Sequence, residues 1–99
     1  MRTLTEVRES VRNGARLLDS QIPGWAERIN IDELDIADSA TCIVGQLHLW
    51  KDAEGNATEW DSFKFAFNHG IYLMDEPPHR YHLLNTYWIE EIQSRIQEN

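Results

Sequence analysis

The segment Thr3–Leu18, TLTEVRESVRNGARLL, decides the fold because it carries the clearest helix signal in the chain. Thr3 and Glu6 form a capping box, in which each side chain accepts a hydrogen bond from an amide at the helix start. Gly14 costs about 1 kcal/mol relative to alanine inside a helix, and it suggests the close approach of another element. Apolar residues at helical spacing predict one buried stripe, formed by Leu4, Val7, Val11, Ala15 and Leu18.

A second amphipathic helix is predicted at the other end of the chain. The segment Asp75–Pro78 places acids and prolines where a helix start favours them. Glu91 and Arg95 stand four residues apart in the order that favours an ion pair along a helix. The apolar face of this predicted helix comprises Tyr81, Leu84, Trp88, Ile92 and Ile96.

Short capped elements are predicted between the two long helices. The segment Ile22–Gly24 ends the first helix, because proline lacks an amide and restricts the residue before it. Asn30 is suited to cap a short helix whose first turn carries acids, which the helix dipole favours. Asp38 or Ser39 is predicted to cap another short helix further along. His69 followed by glycine is typical of a helix C-terminus.

Residues 41–72 are compatible with two kinds of structure. The alternating pattern of Phe63–Phe67 favours a strand, and a hairpin turning through Lys51–Asn56 is one alternative. Trp60 and two of the phenylalanines also fit one helix face. We therefore predict an all-α single domain over residues 1–99, with long first and last helices and short helices between. An α+β domain with a hairpin near 41–72 is retained as the alternative.

Composition and charge exclude several function classes. The net charge is −8, which disfavours direct nucleic-acid binding because affinity for phosphate requires Lys and Arg. The charge is uneven, since residues 1–18 carry +2 and residues 19–99 carry −10. No apolar run is long enough to cross a membrane, and the first residues do not resemble a signal peptide. We therefore expect a cytoplasmic protein without direct nucleic-acid or membrane binding.

No catalytic or metal-binding motif is recognisable in the sequence. Cys42, the single cysteine, lies in an acidic segment that disfavours a thiolate, so we interpret it as a small buried side chain. His79 and His82 stand three apart, but two imidazoles do not complete a metal site. We predict a non-enzymatic protein without cofactor or metal.

One segment resembles a known group of sequences. Residues 17–47 read LLDSQIPGWAERINIDELDIADSATCIVGQL, with PGW, then I-x-x-x-x-L-D, then Cys followed by two aliphatic residues and GQ. This order is similar to a pattern in uncharacterised small accessory proteins of actinobacterial phages and prophages. The resemblance implies a compact protein of the host cytoplasm and brings no catalytic residues with it.

The leading functional hypothesis is a protein-interaction module that binds a host or phage protein. Aromatic residues beyond what a small core can bury would anchor such an interface, and arginines four apart line one flank of the first helix. The candidate interaction surface comprises Arg8, Arg12, Arg16, Trp50, Trp60 and Tyr72. The alternatives are an acidic inhibitor that imitates nucleic-acid charge, a small metal-binding protein, and a homodimer joined through the arginine edge.

Overall fold

Two long helices at the ends of the chain enclose a series of short helical turns. The computed structural model describes residues 3–73 and 80–97, and no β-strand forms within these ranges. The all-α prediction is therefore confirmed. No helix of the described ranges has the length and apolar character needed to cross a bilayer. The α-helices are α1 Leu4–Gln21, α2 Ile43–Gln46, α3 Phe63–Asn68 and α4 Arg80–Gln97, and 3₁₀ turns cover Trp25–Arg28, Ile31–Glu33 and Glu59–Asp61.

α1 begins at the predicted capping box. The hydroxyl of Thr3 accepts from the Glu6 amide at 3.1 Å, and the Glu6 carboxylate accepts from the Thr3 amide at 3.3 Å. The predicted buried stripe is confirmed from Val7 onward. Leu4, in the first turn, is instead 48% exposed. The fully buried members are Val7, Val11, Ala15 and Leu18.

α4 buries the middle of its predicted apolar face. Leu84, Trp88 and Ile92 are fully buried, whereas Ile96 in the last turn is 43% exposed. The predicted pair along the helix forms, because Arg95 Nη1 donates to the Glu91 carboxylate at 3.0 Å. The acidic proline segment that we expected at the helix start lies outside the described residues.

The two long helices meet a tight turn around the indole of Trp88. This indole packs edge-to-face against Trp25, with ring centroids 5.8 Å apart, and its Nε1–H donates to the Gly70 carbonyl at 2.9 Å. A Cβ atom at Gly14 would lie 2.3 Å from the His69 carbonyl oxygen and 3.0 Å from the Trp88 ring. Gly14 therefore allows α1 to lie directly against this turn, as its position in the sequence suggested.

The segment before α2 uses a different cap from the predicted one. Cys42 occupies the cap position, and its sulfur accepts from the Gly45 amide at 3.4 Å. The carboxylate of Asp38 instead accepts from the Ala40 amide at 2.8 Å and closes a turn before the helix. The prediction of Asp38 or Ser39 as the helix cap is therefore wrong, because a short Asp side chain can satisfy a nearby turn amide equally well.

The proposed hairpin position holds only a compact loop. The Asp52 amide donates to the Asn56 carbonyl at 2.8 Å, and the Thr58 amide donates to the Trp50 carbonyl at 3.0 Å. A single antiparallel bridge joins Lys51 to Ala57, so the pairing does not extend into strands. The chain then enters the last 3₁₀ turn and α3, which end at His69 as predicted.

Replacing Gly14 with alanine is expected to destabilise the fold, although alanine is the better helix former. The new methyl group would overlap the His69 carbonyl, and such overpacking costs about 1–3 kcal/mol. Because the overlap is with a backbone atom, the cost should lie in the upper part of this range, about 2–3 kcal/mol. Since helix propensity returns only about 1 kcal/mol, urea unfolding should show a net loss of roughly 1–2 kcal/mol. Asn13→Ala, at the exposed neighbouring position, is the control and should leave stability unchanged or raised. A Gly14→Ala protein as stable as the wild type would contradict the close contact.

Candidate functional site

Five aromatic side chains surround one apolar groove, which we call the aromatic groove. It has a volume of about 290 Å³ and is bounded by residues of the segment 36–42, the third 3₁₀ turn, α3 and the start of α4. These aromatic residues are Trp50, Trp60, Phe63, Tyr72 and Tyr81. The groove therefore unites the three aromatic members of the predicted interaction surface.

The floor of the aromatic groove is part of the core. Trp60 is 3% exposed, and Ala66 and Ile71 beside it are also buried. The Trp60 ring packs edge-to-face against Phe65 at 5.0 Å and against His69 at 5.8 Å between centroids. Trp60 therefore contributes to the groove as a fixed base and cannot act as a freely exposed anchor.

The rim on one side is held by the indole of Trp50. Its Nε1–H donates to the Ser39 carbonyl at 2.7 Å, which fixes a half-buried ring against the segment before α2. His48 directs the chain toward this position, because its φ of 56° places it in the left-handed region after α2. The ring is thus positioned by backbone contacts before any ligand arrives.

Two exposed aromatic rings form another part of the rim. Phe63 is 45% exposed and Tyr72 is 42% exposed, and their ring centroids lie 4.7 Å apart at an angle of 64°. Such edge-to-face packing stabilises each ring in one orientation. The aromatic groove therefore has a rigid floor and an exposed rim, the arrangement that an apolar anchor side chain requires. Sequence reasoning missed Phe63, which it assigned only to a possible helix face together with Trp60.

Cys42 also borders the groove but is poorly suited to nucleophilic chemistry. Burial raises the pKa of its thiol, and the side chain is only 1% exposed. Within the described ranges, no group of three or more His, Cys, Asp and Glu side chains is placed to hold a metal ion. His82 is described and exposed, whereas His79 lies outside the described residues.

The arginine edge of α1 lies elsewhere, along the seam between α1 and α4. Arg8 pairs with Glu90 and sits over the Tyr87 ring, 5.0 Å from its centroid. Arg12 Nε lies 3.7 Å from a Glu91 carboxylate oxygen. Arg16 is exposed on the same seam, and the groove lining includes no residue of α1. The structure therefore separates the predicted arginines from the predicted aromatic residues.

The same seam ends in a tight cluster around Asp19. Arg95 donates from Nε and Nη2 to the two carboxylate oxygens of Asp19, each at 2.8 Å. Trp25 Nε1–H donates to the same carboxylate at 2.8 Å. These contacts, chiefly the hydrogen bonds from Arg95, hold the pKa of Asp19 below its ordinary value of 3.8. The cluster fastens the end of α1 to α4 and has a structural role.

Comparison of the chain with models of protein families, with curated proteins and with solved structures finds no match in any of the three. The functional conclusion therefore depends on the geometry and chemistry of the aromatic groove. Among its described residues, that groove combines a buried base, an exposed aromatic rim and one carboxylate, from Asp61.

Asp19→Asn should remove stability that depends on the charge of this carboxylate. The pKa of Asp19 is lower in the folded state than in the unfolded state. The charged carboxylate therefore stabilises the fold at pH values above its ordinary pKa, and this stabilisation is lost as the pH falls below about 4. The difference in unfolding free energy between wild type and Asp19→Asn should thus be largest near neutral pH and should shrink in acid. Denaturant titrations from acid to neutral pH measure this difference in unfolding free energy. Glu9→Gln, on the exposed surface of α1, is the control. A difference independent of pH would contradict the assignment.

Proposed function

We propose that this chain is a non-enzymatic protein-interaction module that binds an apolar part of another protein in the aromatic groove. The observation that carries the proposal is the exposed pair Phe63 and Tyr72 facing a groove whose base, around Trp60, is already buried. Aromatic side chains around a rigid pocket are the usual anchors of protein interfaces. Little ordering is needed on binding, because the rings are already held in place.

The size of the groove supports a protein side chain as the occupant. A cavity of roughly 150 Å³ holds a benzene molecule, and the groove is about twice as large at 290 Å³. One indole ring or two aliphatic side chains fit such a space. Pockets for drug-sized molecules range from about 300 to 1,000 Å³, so the groove lies at their lower limit.

We also propose that the protein is not an enzyme, and the chemistry of the residues that line the aromatic groove supports this. Cys42 is the nucleophile nearest the groove, and burial raises the pKa of its thiol and so disfavours the reactive thiolate. The acidic-inhibitor hypothesis remains the second candidate, because residues 29–73 hold eight acids and two lysines. Binding governed by charge alone, without the aromatic rim, would favour that candidate.

The setting in which the module acts is proposed from the sequence resemblance. Residues 17–47 are similar to accessory proteins of actinobacterial phages and prophages, and on this basis we place the protein in the host cytoplasm with a host or phage protein as its partner. A homodimer through the arginine edge receives less support, since Arg8 and Arg12 already pair with Glu90 and Glu91 of the same chain.

Partner capture with matched variants tests the groove directly. Immobilised protein would be incubated with actinobacterial lysate, with and without phage infection, and bound proteins measured by quantitative mass spectrometry. We expect Phe63→Ala/Tyr72→Ala and the groove-filling Ala37→Trp to capture at least tenfold less of the specific partner, because loss of an interface anchor costs about 2 kcal/mol or more.

The control variants alter exposed side chains that do not line the groove. Leu4→Ala/Ile96→Ala removes two side chains of similar exposure, 48% and 43%, and Ala53→Trp adds an indole on the loop away from the groove. These variants should capture the partner as the wild type does. Equal capture by wild type and both groove variants, or no specific partner at all, would refute the proposed function.

A further inference from the structure

The one charged residue in the described lining of the aromatic groove is a carboxylate, and we infer that the protein partner of the groove is a segment with an apolar anchor flanked by Lys or Arg. This inference rests on the proposed function, because it specifies the partner of the same groove. The argument combines the shape of the groove with the sign of the charges around it.

Carboxylates lie in and beside the groove wall. Asp61 is exposed and lines the groove directly, and it is the one charged residue of the described lining. Asp35 and Asp38 are exposed neighbours of the lining residues Ile36 and Ala37. An apolar side chain entering the groove thus brings its flanking residues close to several carboxylates.

These carboxylates have no ion-pair partner among the residues that the structure describes. Asp35 accepts from the Ala37 amide at 3.0 Å, and Asp38 accepts from the Ala40 amide at 2.8 Å. Those hydrogen bonds shape the turn but leave the negative charge in place. Lys51 and Lys64 are exposed and follow the lining residues Trp50 and Phe63, but neither lysine lines the groove itself, whereas Asp61 does.

The seam between α1 and α4 differs from the groove wall in how its carboxylates are paired. Along α1 and α4, the described acids Glu90, Glu91 and Asp19 each lie against an arginine of the same chain. At the seam, arginines of the same chain pair with these acids, whereas the described lining of the groove contains no Lys or Arg. A basic partner would complement this wall and would be steered toward it.

A second copy of this chain is a poor occupant of the groove. Residues 29–73, which supply most of its described lining, carry eight acids against two lysines, so two copies meeting there would repel each other. A neutral apolar molecule would fill the cavity without using the carboxylates. A basic segment with an apolar anchor uses both features at once.

The inference can be tested with four short blocked peptides and the full chain. The first carries one Trp and one Leu as anchors between flanking lysines. Its twins replace every Lys with Gln or with Glu, and the fourth keeps the lysines but replaces both anchors with Ser. Titration calorimetry gives the affinities, and ¹⁵N-labelled protein shows whether the indole signals of Trp50 and Trp60 shift on binding.

We expect the basic peptide to bind about tenfold more tightly than the Gln twin at low salt. Each exposed pair contributes roughly two- to threefold, and Asp35, Asp38 and Asp61 are available to form such pairs. The advantage should shrink as salt is raised, since these charges are exposed. The Glu twin and the anchor-free peptide should bind more weakly still.

A charge-matched pair of variants locates the effect. Asp35→Asn/Asp38→Asn/Asp61→Asn keeps the acceptor oxygens of the turns and should abolish the preference for Lys over Gln. Glu9→Gln/Asp52→Asn/Glu54→Gln removes the same number of charges at exposed positions that do not line the groove, and it should keep the preference.

The outcomes separate this inference from the proposed function. Equal binding of the basic and Gln peptides, with groove indole shifts for both, would overturn the inference and leave the groove as an interaction site. Equal binding of the anchor-free peptide would overturn it in favour of charge imitation. Self-association that Phe63→Ala/Tyr72→Ala abolishes would identify a second copy as the occupant. Failure of all peptides would overturn the inference, and partner capture would then decide the proposed function separately.

Discussion

The fold depends on the burial of the Trp88 indole between α1 and the turn that follows α3. Its one polar atom donates to the Gly70 carbonyl at 2.9 Å, so a large ring is buried without an unsatisfied donor. Gly14 has no side chain to separate α1 from the turn, and Gly70 adopts a φ of 75°, which favours glycine. Trp25 closes the other side of the ring, so three distant segments of the chain meet at one residue.

The same turn gives the aromatic groove its rigidity. Because Gly70 is fixed against Trp88 and Val11, the next two residues have defined positions, with Ile71 in the floor and Tyr72 on the rim. A groove built on the core in this way loses little conformational entropy when it is filled. The carboxylates in and beside the groove lie on the loop before α2 and on the third 3₁₀ turn, where they are exposed to solvent and do not disturb the core.

The long helices could be predicted from sequence because their signals are local. The capping box at Thr3 and the spacing of Leu84, Trp88 and Ile92 concern residues within a few turns of one another. The groove could not be predicted, since its lining comes from segments far apart in sequence and has no periodic pattern. Trp60 looked like an available surface residue, yet packing against Phe65 buries it. The pairing of Arg8 with Glu90 likewise depends on how two distant helices align.

Hydrogen exchange of the Trp88 indole N–H tests the central claim most directly. The four tryptophan indoles give separate signals in ¹⁵N-labelled protein, and single Trp→Phe variants assign them. If Trp88 closes the core, its indole proton should exchange only through global unfolding, with the same free energy as denaturant unfolding. The half-buried Trp50 indole should exchange faster. Exchange at Trp88 as fast as at Trp50 would contradict the account.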